Sequence, residues 1–131
     1  MSDVREPSGE VALELDGQHF VLRPSYAAIL ACETKTGRSL RELAEAAYES
    51  RLTIADAATI ATEMIQAWGR SNADAPLAST ARQVAHARVA ELIFETGMLT
   101  VAPRIAIVLM NALMGGVTSS GEAKSPRTTT A

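Results

Sequence analysis

Cys32, His19, His86 and the pair Glu91 and Glu95 are the side chains of this sequence whose types suit nucleophilic, metal or acid–base chemistry. A reactive thiol needs neighbours that stabilise its thiolate, whereas Cys32 is surrounded in sequence by Ala27, Ala28, Leu30 and Ala31, which suits a small buried thiol. A metal site needs clustered ligands, and neither histidine has a His or Cys partner three or four residues on. Glu91 and Glu95 are spaced as a carboxylate pair on a helix, but Arg88, one turn before Glu91, supplies ordinary surface pairing. Gly115-Gly116 follows an apolar helical segment, where a phosphate-binding loop would precede a helix. These patterns point to no catalytic residue, no metal and no cofactor, and so to a chain that is not an enzyme.

The elements around these residues predict an α+β fold, mostly α, with an N-terminal β-hairpin followed by about five helices. Met1 to Ser8 is polar and aperiodic and is expected to be a flexible arm. Apolar and polar residues alternate from Glu10 to Leu15 and again from Gln18 to Arg23, with Asp16-Gly17 between, the strongest short-range signal for a hairpin. With those two as turn residues, Leu13 faces Phe20 and Val11 faces Leu22. That apolar face must lie on helices or on strands of another copy.

Ser25 suits the N-cap of a helix with Tyr26, Ile29 and Leu30 on its apolar side, ending before Gly37. Ser39 with Glu42 predicts a capping box for a second helix, whose stripe is Leu40, Leu43, Ala44, Ala47 and Tyr48. Thr53 with Asp56 opens a third, terminated at Gly69 and followed by a loop to Pro76. A fourth runs from Ser79 or Thr80 to about Thr96, and a fifth from Thr100 to Gly115-Gly116. The run Ile105 to Met110 also has the composition of a buried strand, but the length of the segment favours a helix. One globular domain is expected over residues 9–116. Residues 117–131, dominated by Ser, Thr, Gly and Pro, are expected to be a disordered tail.

The 131 residues and 47% hydrophobic content suit a single core, and the net charge of −3 is spread without a basic block. Nucleic acid is therefore not an expected partner. One cysteine, no apolar leader and no apolar run of the ~20 residues a bilayer requires predict a cytoplasmic protein that does not engage a membrane.

The fifth helical segment stands apart. Only Arg104 and Asn111 interrupt apolar residues between Val101 and Met114, and, seven apart, they share a face. A helix that is apolar nearly all round is either central in a core or covered by a partner, and both readings remain open here. Three methionines, Met98, Met110 and Met114, cluster at the segment, and Met suits adaptable contact surfaces as well as cores. The candidate protein-binding residues are Met98, Leu99, Ile105, Val108, Leu109, Met110 and Met114.

Taken in order, GEVALELDG, LRPSYAAILACETKTGRSL, IATEMIQAWGR, VAPRIAIVLMNALMGG and SGEAK resemble the gene-transfer-agent family of small tail proteins encoded by α-proteobacterial prophages, over about Gly9 to Lys124. The resemblance implies a phage tail assembly chaperone, with the tape-measure protein and other tail proteins as partners and a homo-oligomer as its working state. Such proteins are also labelled tail tube components. Tube subunits, however, are built on sheets that pair between neighbours, and one hairpin followed by helices offers too little strand for that. The alternatives to a chaperone are a structural tail component of the particle and a small regulatory protein-binding module.

Overall fold

The computed structural model describes residues 9–124, so the arm expected over residues 1–8 and the end of the tail, residues 125–131, lie outside the described residues. The architecture is α+β and mostly α: one antiparallel hairpin, β1 (Val11–Leu15) and β2 (Gln18–Leu22), followed by helices. The turn residues Asp16 and Gly17 both have positive φ, 48° and 80°, as a two-residue turn matched to strand twist requires. The register that follows pairs Leu15 with Gln18, Leu13 with Phe20 and Val11 with Leu22. Val11, Leu13, Leu15 and Leu22 are buried, and helices of the same chain cover them.

Helix α1 (Tyr26–Thr36) is capped by the Ser25 hydroxyl, which accepts from the Ala28 amide, and α2 (Leu40–Tyr48) by the reciprocal bonds of Ser39 and Glu42. The Thr53 hydroxyl accepts from the Asp56 amide to open α3 (Ile54–Ser71). Three start signals thus act as their residue types demand.

The faces of the helices depart from their sequence patterns where small residues pack. Helix α1 buries Ala28 and Cys32 against α3 and leaves Tyr26 and Leu30 exposed, because alanines on both helices let the two backbones approach closely. On α2 the buried positions are Leu43, Ala44, Ala46 and Ala47, while Tyr48, expected on the apolar stripe, is exposed.

Gly69 does not end α3; it is buried inside it. A Cβ there would lie 2.8 Å from the Ala78 carbonyl oxygen and from the Arg82 nitrogen, so the glycine lets α4 (Ala78–Arg82) cross α3 at backbone distance. The single fourth helix expected from Ser79 to Thr96 is instead two, α4 and α5 (His86–Thr96), and at their junction the Gln66 side chain donates to the Val84 carbonyl at 2.9 Å. At Gly97, with φ of 102°, the chain turns sharply into α6 (Met98–Leu113), bent 119° from α5. No single helix among the described residues is long and apolar enough to cross a membrane.

Residues 117–124, expected to be part of a disordered tail, form a small turn closed by a bridge between Val117 and Ala123 and docked on the start of α1. Tyr26 donates its amide to the Ser119 carbonyl at 2.8 Å. Arg23, assigned by the alternation to the hairpin's polar face, is 8% exposed, donates Nε–H to the Ser120 carbonyl at 2.9 Å and pairs with Glu10 at 2.6 Å. The docking uses main-chain carbonyls, for which the side-chain sequence carries no signal.

Candidate protein-contact surface

Helix α6 places its residues on two apolar stripes. The inner one, Val101, Ile105, Val108 and Leu109, is buried against α2, α3, α5 and β1. Ile105, Val108 and Leu109, named above as contact candidates, are therefore core residues of the single chain and cannot form a surface. Met98 is partly buried and packs on the same core.

The outer stripe follows spacings of four, four, three and four: Leu99, Pro103, Ile107, Met110 and Met114 share one side of the helix. Leu99 is 81% exposed, Ile107 45% and Met114 76%, whereas Met110 is half-buried. Arg104 separates the two stripes, donating Nε–H to the Ala12 carbonyl of β1 at 3.0 Å. The helix is apolar nearly all round because one stripe builds the core and the other faces outward.

Tyr48, at the end of α2 and 76% exposed, stands beside the outer stripe. Between the two helices lies an open groove of about 480 Å³, lined by Ala47, Tyr48 and Ser50 on one side and Pro103, Ala106, Ile107, Met110 and Asn111 on the other. Every one of these side chains is uncharged. Leu99, Met110 and Met114 are thus the sequence candidates that reach the surface, while Pro103, Ile107 and Tyr48 were missed. The spacing of the outer stripe could have found Pro103 and Ile107, but Tyr48 fits a core stripe by period and only its place at the last turn of α2 exposes it.

No family model, curated protein or solved structure matches this chain.

The side chains suited to catalysis are dispersed. Cys32 is buried, and that burial, reinforced by the nearby Glu63 carboxylate, pushes its thiol up to about 12 from an ordinary 9.0, so it is protonated and inert at neutral pH. His19 lies 3.9 Å from Glu14 on the exposed side of the hairpin, and His86 Nε2 meets the Thr59 hydroxyl at 3.2 Å. Glu91 pairs with Arg88 at 3.1 Å. Among the described residues no three His, Cys, Asp or Glu side chains converge as a metal site would require.

Proposed function

We propose that this chain is a protein-binding module that acts as a tail assembly chaperone, holding an apolar segment of a tape-measure protein against the outer stripe of α6 and the groove beside Tyr48. The observation that carries the reading is the outer apolar row Leu99, Pro103, Ile107, Met110 and Met114, exposed except at the half-buried Met110, on a helix whose other side is core. A helical apolar partner lays residues at helical spacing into such a groove, and uncharged walls containing methionine tolerate variation in what is bound. Supporting it further, the described strands form a single hairpin, little for a tube subunit that must share sheets with its neighbours. The resemblance in sequence supplies the tail context.

The test is a double variant, Leu99→Asp with Ile107→Asp, made in the full chain and co-expressed with a tape-measure protein from the same prophage region. Both side chains face outward, so the circular dichroism spectrum and the cooperative melt are expected to persist while co-purification falls at least tenfold, since a carboxylate in an apolar contact must be desolvated or protonated. Unimpaired co-purification by the folded double variant would remove the residue-level support for this reading. Recovery of the protein in purified particles would identify it as a permanent tail component.

A further inference from the structure

The hairpin's two edges are treated differently. With a two-residue turn, Leu15↔Gln18, Leu13↔Phe20 and Val11↔Leu22 are the hydrogen-bonded pairs, so Ala12 and Glu14 on β1, and His19 and Val21 on β2, direct their amides and carbonyls away from the hairpin. On β1, helices α5 and α6 pack against the strand, and Arg104 of α6 takes the Ala12 carbonyl. On β2 the same parity reaches Arg23, whose amide donates to the Met64 carbonyl of α3 at 3.1 Å and closes that end. Between Arg23 and the turn, the main chains of His19 and Val21 find no hydrogen-bond partner outside the hairpin among the described residues.

These groups border a groove of about 420 Å³. One wall is Gln18, His19, Phe20 and Val21; because four consecutive residues line it, the wall is the edge of the strand and not one of its faces. The opposite wall comes from α3 and α4 and from the loop between them: Ile65, Trp68, Leu77, Thr80 and Ala81. We infer that β2 accepts an extended, uncharged peptide segment of a partner protein, which adds as a third strand between β2 and the α3–α4 corner.

Three observations select that occupant. Paired outward amides and carbonyls two residues apart are matched by another main chain in extended conformation, which meets them in register. The helical wall stands across from the edge, so the space beside β2 is bounded and suits a lone strand, which lies about 4.8 Å from its neighbour, better than the sheet of a second folded copy. No acid or fixed cation lines the groove, so a charged side chain would lose water there with nothing to offset it, and small or medium apolar residues suit the wall that carries Ile65 and Trp68. This site is separate from the outer stripe of α6 and stands or falls independently of the tail-assembly reading.

The test uses the full chain, isotopically labelled for NMR, titrated with the capped peptide acetyl-Thr-Val-Ile-Val-Thr-amide and with the same peptide N-methylated at its three apolar residues. The unmodified peptide is expected to shift the His19 and Val21 amide signals and slow their hydrogen exchange at least tenfold, and N-methylation to weaken binding at least tenfold. Leu77→Ser, at an exposed position, is expected to keep the melting temperature and weaken the peptide about tenfold. The inference is overturned if the His19 and Val21 amides remain unmoved at millimolar peptide, if the N-methylated peptide binds equally, if Leu77→Ser binds as well as the parent, or if the shifts gather on α6 instead.

Discussion

Cys32 shows how a residue suited to chemistry is kept from it. Its thiol lies where α1 meets α3, and beside it Lys35 and Glu63 form an ion pair at 2.6 Å in which Glu63 is the buried member. Burial disfavours the thiolate first and the Glu63 carboxylate adds to it, raising the thiol from 9.0 to about 12. Because the folded state holds the proton more tightly, the contribution is complete below pH about 9.0 and is lost as pH rises towards 12, where the unfolded chain ionises and the folded one does not. Unfolding free energies from urea titrations between pH 8 and 10.5 should therefore fall more steeply for the parent than for Cys32→Ala, by up to about 1.4 kcal/mol per pH unit. Parallel curves would show that the thiol is not shielded. In the same preparations, alkylation of Cys32 at pH 8 should proceed no faster than the protein opens.

At the scale of elements, what sequence reveals depends on which atoms make the contact. The hairpin register and the caps at Ser25, Ser39 and Thr53 were legible because each depends on a side chain or a backbone preference with a residue signature. Gly69 was misread as a helix terminator because a glycine admitting a neighbouring backbone looks, in sequence, like one adopting positive φ. The break between α4 and α5 was invisible for a related reason: Ala85 gives no side-chain cap, and the junction is held by Gln66, eighteen residues away from Val84. Substituting Gly69→Ala tests the crossing. The added methyl would fall 2.8 Å from two backbone atoms of α4, so α4 must shift, and despite the better helix propensity of alanine the variant should lose about 1–3 kcal/mol in urea denaturation. A stabilised variant would mean that α4 yields freely and that the wall carrying Leu77 and Ala81 is not fixed.

Over the whole molecule, the part of the candidate contact surface legible in sequence was its helix, because near-complete apolarity of α6 is a composition signal; which stripe faces outward was not, since α2, α3, α5 and β1 decide that jointly. Residues 117–124, expected to belong to a disordered tail for want of any side-chain pattern, close the domain. The turn over residues 117–124 supplies carbonyls to the Tyr26 amide and to Arg23, and Gly121, at φ 98°, lies so near that a Cβ would come within 2.9 Å of Arg23 Cγ. A chain ending at Gly116 would strip the Ser120 carbonyl and the Glu122 side chain from Arg23, leaving it paired with Glu10, and would uncover the Tyr26 amide. Water can reach these groups once the turn is gone, which limits the loss, but two hydrogen bonds and the packing around a buried guanidinium disappear together, so such a chain should be about 1–3 kcal/mol less stable. Arg23→Met in the full-length chain separates the contributions: it removes the charge and keeps the bond from Tyr26 to Ser119. If the anchor is the guanidinium, amide exchange at Gly121 and Glu122 should quicken in this variant as the turn detaches. If exchange there stays slow and the melting temperature holds, the turn is fastened by its own bridge and by Tyr26, and Arg23 serves only to neutralise Glu10.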